Sequence, residues 1–324
     1  MPIISFEGIN KSYETGKPVI QDLSLDIHEG EFVTFLGPSG CGKTTMLKLV
    51  NRLIEPDDGN IFVEGREIRE WDKIELRRRI GYVIQKIGLF PHLTVGGNIS
   101  YVLELTGENK GFKENRELEM IELVGMDESF LKRYPRELSG GQRQRIGLAR
   151  ALAADPDIIL MDEALGAVDE ISRRVLQDEL LKIYRKLKKT IVFVTHDIQE
   201  AIKLGSRIVL INDGAVVQAG TREEMIFSPA NSFVEDFFGL KNFTSYLNLT
   251  PLKEVCEYGE FPGGMEKVPF LDESESIMAA IRVMFDNGLG LVGIEGPEAG
   301  RKGVFRFESA LRKLKENKPG KINA

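Results

Sequence analysis

The stretch Gly37-Pro38-Ser39-Gly40-Cys41-Gly42-Lys43-Thr44-Thr45 follows an apolar run, Phe32-Val33-Thr34-Phe35-Leu36, and opens a helical pattern over 43–53. Strand, glycine-rich turn and helix in that order form a phosphate cradle. The glycines let backbone N–H groups converge on phosphate oxygens, and the helix N-terminus adds partial positive charge. Lys43 is placed to reach the β and γ phosphates, and Thr44 to offer a hydroxyl to Mg²⁺. Its four fixed positions arise by chance in a chain this long only on the order of once in a hundred. A glycine-rich turn with an incidental lysine is the bland alternative, and the strand and helix around it argue against that. Gly37, Ser39, Gly40, Cys41, Gly42, Lys43, Thr44 and Thr45 are therefore the candidate phosphate-binding residues. Cys41 takes a free position, where a cationic loop and a helix N-terminus make its thiol a candidate for reactivity.

Outward from the turn, short β-rich runs alternate with helical patterns up to about residue 240. Residues 158–161 and 191–195 read as strands and 172–187 as a helix, so the expected class is α/β with parallel strands. The run Ile158-Ile159-Leu160-Met161 ends in Asp162-Glu163. A strand ending in acid beside a phosphate site suits Asp162 to hold Mg²⁺ through water and Glu163 to deprotonate the attacking water. Between 90 and 154 strand signals vanish and a helical insertion is expected. Asn212-Asp213-Gly214 predicts a hairpin turn, and Ser228-Pro229 a break before a closing helix over 233–240. The domain boundary is expected near 240–250, giving units 1–240 and 241–324.

The later unit reads as βαββα: strand 268–271, helix from Ile277, strands 289–294 and 303–307, and helix 308–315. Its last 24 residues carry eight basic and two acidic side chains, whereas 251–300 carry three and ten. Gly288, Gly290 and Gly293 match a dinucleotide fingerprint, but they follow a helix and enter a strand, the reverse of the required order.

The chain has 324 residues, 43 basic against 50 acidic, and a net charge of −7, which disfavours generic nucleic-acid binding. Cys41 and Cys256 form no disulfide framework. The N-terminal text lacks an export-signal profile, and no apolar run approaches the roughly 20 residues that cross a bilayer. The expectation is a cytosolic chain whose membrane role comes through a partner.

Leu138-Ser139-Gly140-Gly141-Gln142 lies between the two phosphate-site elements, with Ser139 suited to cap the following helix. Two glycines at a helix start cost about 1 kcal/mol each relative to alanine if they lie inside it, so a close ligand is implied. With Gln85 after Gly81-Tyr82-Val83-Ile84, the turn Ala167-Val168-Asp169, and His196 in Val194-Thr195-His196-Asp197, the ordered set over residues 3–237 resembles the ATP-binding-cassette (ABC) ATPases. Val168 stands where the family usually has Leu. The resemblance implies a P-loop ABC ATPase with a mixed sheet core and helical subdomain, using ATP and Mg²⁺. It implies a head-to-tail homodimer in which ATP lies between the phosphate loop of one copy and Ser139, Gly140, Gly141 and Gln142 of the other. By the same resemblance Tyr13 stacks on adenine, Gln85 senses Mg²⁺ and the attacking water, Glu163 is the general base, His196 holds the γ-phosphate, and Asp169 couples the two sites. Plain packing stays open for Tyr13, and a structural role for His196.

The wording from Tyr82 to Val95, with Gln85, Leu89, Phe90, Pro91 and His92, is most similar to the glycine betaine, choline and carnitine uptake ATPases. It implies an importer subunit for quaternary-amine osmoprotectants, bound under two membrane permease subunits at the cytoplasmic face of the membrane, with a separate substrate-binding protein and no nucleic acid. Exposed Leu89, Phe90 and Leu93 would floor a groove for a permease helix, or merely cap the helical subdomain. An importer of polyamines or sugars, and a soluble ABC ATPase acting on nucleic acid, are the alternatives. The C-terminal unit resembles a single CBS-like α+β repeat. An adenine or cyclic dinucleotide ligand, an anionic-lipid surface read by the basic tail, and pure dimerisation all stay open for it.

Overall fold

The apolar runs of the first unit become the middle of one six-stranded sheet. The computed structural model describes residues 1–14, 17–85, 88–166, 169–258, 268–296 and 302–308. The strand order is Ala215–Gly220, Arg207–Asn212, Phe32–Leu36, Thr190–Thr195, Ile158–Asp162, Ile80–Val83. All pair in parallel except the terminal hairpin Arg207–Asn212 with Ala215–Gly220. That hairpin turns at Asp213 (φ 47°) and Gly214 (φ 79°), the left-handed pair its Asn-Asp-Gly text predicts.

A strand's two faces take alternate residues, and here both faces are covered. Val33, Phe35, Leu160, Val192 and Val194 join a core with helix Lys43–Val50 and a four-stranded antiparallel sheet, in the order Lys17–His28, Pro2–Glu14, Asp58–Val63, Arg66–Glu67. Phe32, Ile159, Met161, Ile191 and Phe193 point the other way, into a core shared with the helical region. This double burial is why those strands read as unbroken apolar runs, and Phe193→Ala would cost about 3–5 kcal/mol.

The helical insertion expected over 90–154 is present as Val95–Ile99, Tyr101–Leu105, Lys110–Leu123 and Gly140–Leu152. Helix Lys43–Val50 stops short of the expected residue 53, because the chain turns at Arg52 with φ 53°. Among the described residues no helix is long and apolar enough to cross a membrane.

The chain divides into two compact units, Met1–Thr221 and Arg222–Ala324. Where the sequence pattern sets a boundary at 240, helix Ser232–Leu249 runs through, broken only at Gly239 (φ 8°, ψ 178°). Tyr246 and Leu247 of that helix enter the second unit's core with Leu252, Ile277, Val292 and Phe305, which draws the whole segment into the second unit. Its sheet is Glu257–Tyr258, Lys302–Phe305, Val292–Glu295, Phe270–Asp272. The last two pair in parallel across helix Ile277–Asn287, and Val292–Glu295 forms a hairpin with Lys302–Phe305. The strand Glu257–Tyr258, only two residues long, carries too short a pattern to read. Residues 309–315 of the expected helix and 309–324 of the basic tail lie outside the described residues.

Candidate functional site

Parallel pairing brings the carboxyl ends of four strands to one edge. Leu36 pairs with Thr195, Asp162 with Val194, and Val83 with Met161, so Gly37, His196, Glu163 and Gln85 leave the sheet together. In open α/β sheets that edge is where ligands bind.

The phosphate loop leaves the edge through Gly37, where an added Cβ would lie 2.1 Å from the Ile211 carbonyl oxygen. Gly40 (φ 83°) and Gly42 (φ 104°) hold left-handed conformations that side chains resist. Lys43 is 5% exposed and donates from Nζ to the Gly37 and Pro38 carbonyls at 2.7 and 2.6 Å. Ser39, Gly40, Gly42, Lys43, Thr44, Thr45 and Glu163 line a cavity of about 160 Å³. Cys41 lies apart from it, buried with Sγ 3.6 Å from Lys43 Nζ, so the thiol lacks the access that reactivity needs.

At the cavity floor Thr44 Oγ1 donates to Asp162 Oδ1 at 2.7 Å. Burial pushes the Asp162 carboxyl above its ordinary range, with the Thr44 hydrogen bond and Lys48 and Lys43 opposing and Glu163 reinforcing. Glu163 adopts φ 45°, a left-handed conformation uncommon for a residue with a Cβ, and its N–H donates to the Val194 carbonyl at 3.1 Å. One of its oxygens accepts from Gln85 Nε2 at 2.7 Å, and the other lies 3.4 Å from His196 Nδ1. Glu163, Gln85 and His196 thus meet at one carboxylate. Tyr13 is 57% exposed, with its hydroxyl 3.3 Å from Thr45 Oγ1, so a face of the ring stays free beside the cavity.

Ser139 caps helix Gly140–Leu152: its hydroxyl accepts from Gln142 N at 3.3 Å, and Gln142 Oε1 accepts from Ser139 N at 2.9 Å. Ser139, Gly141 and Gln142 line a different cavity, of about 370 Å³, with Met126, Ile171 and Val175. Asp169 caps helix Glu170–Leu187, accepting from Ser172 N at 3.0 Å, and this holds its carboxyl below the ordinary range. Ala167 and Val168 lie outside the described residues.

The groove residues depart from their expected exposure. Leu89 packs on the helical core and Phe90 packs against Tyr101, with ring centroids 4.4 Å apart and the rings tilted by 43°, while Pro91 and His92 are exposed. Sequence reading misses Asn98, which is fully buried. Its Oδ1 accepts from Phe90 N at 2.7 Å, and its Nδ2 lies 2.9–3.2 Å from the carbonyls of Phe90, Leu93 and Thr94. Gln144, whose side chain donates to the Ala164 carbonyl, and Glu200, which accepts from Thr195, escape it as well. Asn98 carries one signal, a lone polar residue in an apolar helix pattern, and it names no partner; Gln144 and Glu200 stand among other polar residues and carry none.

A nucleotide-phosphate site on a parallel sheet, with a helical insertion bearing a second glycine-rich helix start, defines the class. The sequence profile described as ABC transporter matches residues 20–166. The glycine betaine/carnitine/choline transport ATP-binding protein OpuCA of Bacillus subtilis is 54% identical over 237 residues, 73% of this chain and 62% of that protein. The osmoprotectant import ATP-binding protein OsmV of Salmonella typhimurium is 43% identical over 307 residues, 92% of this chain and 80% of that protein. The dimeric post-hydrolysis structure of the ATP-binding cassette MJ0796 bound to ADP and Pi superposes with a TM-score of 0.61 at 35% identity, over 67% of this chain and 98% of that one. The chain belongs to the ABC transporter ATP-binding family. It spans 62% of the length of OpuCA, one of the relatives it matches.

Proposed function

We propose that this chain is the ATP-hydrolysing subunit of an importer for quaternary-amine osmoprotectants. The observation that carries this is the convergence of Lys43, Thr44, Asp162, Glu163, Gln85 and His196 at one sheet edge, and the relatives named for glycine betaine, carnitine, choline and osmoprotectant transport support the solute class. Lys43 and the amides of the loop bind the β and γ phosphates, and the free face of Tyr13 stacks on adenine. Glu163 takes the proton of the attacking water, Gln85 orients that water, and His196 donates to the γ-phosphate.

Among the described residues no group of three or more His, Cys, Asp or Glu side chains is placed to hold a metal by itself. The Thr44 hydroxyl and the Asp162 carboxylate are hard oxygen donors side by side, which suits a Mg²⁺ arriving with the triphosphate and keeping several waters. Gln85 is its third candidate partner. When bound, Mg²⁺ neutralises charge on the β and γ oxygens.

Ser139, Gly141 and Gln142 line a cavity of their own, which supports a head-to-tail homodimer in which each phosphate loop meets the partner's residues 139–142. Asp169 then lies at the junction of the two sites. The subunit works at the cytoplasmic face of the membrane under two permease subunits, with a separate protein capturing solute. The second unit, Arg222–Ala324, adds a regulatory or dimerising part of CBS-like type, with a nucleotide or anionic lipid as its ligand.

The test is to reconstitute the chain with its copurifying membrane partner and capture protein in proteoliposomes. Glycine betaine, carnitine or choline should stimulate ATP turnover and accumulate inside, whereas spermidine or maltose should do neither. Stimulation by a polyamine or sugar instead overturns the solute; turnover driven by nucleic acid without the permease overturns the importer.

A further inference from the structure

Between Glu163 and the helix opened by Asp169 lies a buried polar chain that the proposed reaction does not use. Glu200, in helix Ile198–Leu204, is 6% exposed. Its Oε2 accepts from Thr195 Oγ1 at 2.6 Å, and that same hydroxyl accepts from Asp197 N at 3.0 Å. His196 sits between those two residues. On the other side Oε1 accepts from Gln177 Nε2 at 3.4 Å and lies 4.0 Å from Arg173 Nε. Both partners come from helix Glu170–Leu187, and Arg173 Nη1 also lies 3.9 Å from Asp197 Oδ2.

We infer that Glu200 is a positioning residue that holds the loop carrying His196 against Glu163 and ties that loop to the helix capped by Asp169. The inference rests on the proposed place of His196 at the γ-phosphate. The His196 side chain is mostly exposed and has little packing of its own, so its aim toward Glu163 Oε1 follows from the backbone of 195–197. A hydrophobic residue of Glu200's size would stabilise a core as well as a buried carboxyl does. What the carboxyl adds is direction: one oxygen faces the His196 loop, and the other faces the Asp169 helix. A shift of that helix when a partner docks against Asp169 would reach His196 through Gln177, Glu200 and Thr195.

The experiment measures kcat, the KM for Mg-ATP and the melting temperature of the full chain. Glu200→Ala should lower kcat about tenfold or more with KM within about twofold, and Glu200→Gln, which keeps an acceptor for the Thr195 hydroxyl, should restore most of it. Thr195→Val, nearly isosteric but lacking the donor, should reproduce the kcat loss and guards against misfolding of the alanine variant. In a His196→Ala background Glu200→Ala should lower kcat no further, because the two act as one unit. Full additivity in that cycle, or a lower melting temperature with unchanged kcat in both Glu200→Ala and Thr195→Val, overturns the inference. Loss of turnover in His196→Ala with none in Glu200→Ala overturns this inference alone. Wild-type turnover in His196→Ala overturns the proposed role of His196 together with it.

Discussion

Asn98→Ala tests whether the segment after Gln85 is a shaped docking surface. The wild-type amide satisfies Phe90 N–H and shares its two N–H groups among the carbonyls of Phe90, Leu93 and Thr94 at 2.9–3.2 Å. Alanine removes one accepted bond and two donated ones. At about 1 kcal/mol net for each bond, less some rehydration of half-buried carbonyls, the loop's closed form loses about 2–3 kcal/mol. That is roughly a 30- to 150-fold rise in its open population. Hydrogen exchange at the Leu93 amide, which donates to the Phe90 carbonyl at 3.2 Å and keeps that acceptor in the variant, reads this and should accelerate by that factor, because the opening is local to the loop. Basal ATP turnover of the purified chain should hold within about twofold, while stimulation by the reconstituted permease should fall by about tenfold or more. Protection of the Leu93 amide equal to wild type would refute the hydrogen-bond reasoning, and accelerated exchange with normal permease stimulation would refute the docking role.

Glu163→Gln should bind ATP normally but turn it over at least about a hundredfold more slowly, and gel filtration with Mg-ATP should show an accumulated dimer. Full turnover would remove Glu163 as base. Tyr13→Ala should raise the KM for ATP by about tenfold with little change in kcat, since base–aromatic stacking contributes about 1–3 kcal/mol; an unchanged KM would make Tyr13 a packing residue. Asp162→Asn should abolish Mg-dependent turnover yet stabilise the nucleotide-free chain. Because the folded carboxyl titrates above its unfolded value, its penalty is full at pH 8 and fades as pH falls toward the ordinary carboxylate range. Melting curves of both proteins at pH 8 and at about pH 5 should therefore converge at the lower pH, and a gap that widens there would reverse the sign.

Local chemistry makes much of this molecule legible in one dimension. The turn from Gly37 to Thr45 declares a phosphate cradle, because glycine conformations, a cationic side chain and a helix start are properties of neighbouring residues. The alternation of 32–36, 158–161 and 191–195 with helical patterns declares the parallel sheet, and Asn212-Asp213-Gly214 declares its closing hairpin. Capping by Ser139 follows from the same short range.

Contacts over long separations belong to the tertiary fold alone. Gln85 lies 78 residues before Glu163, and Gln144 twenty before Ala164, so no periodicity announces either bond. Asn98 reads as one polar letter in an apolar pattern until the loop it fastens folds over it. The second unit's border is decided the same way: Tyr246 and Leu247 belong to whichever core they enter, and they enter that of Leu252, Ile277 and Phe305. Sequence determined which side chains can bind a phosphate, because conformation and charge are local. Which side chains meet at Glu163, and which stand behind them, was decided only when parallel pairing brought four strand ends to one edge.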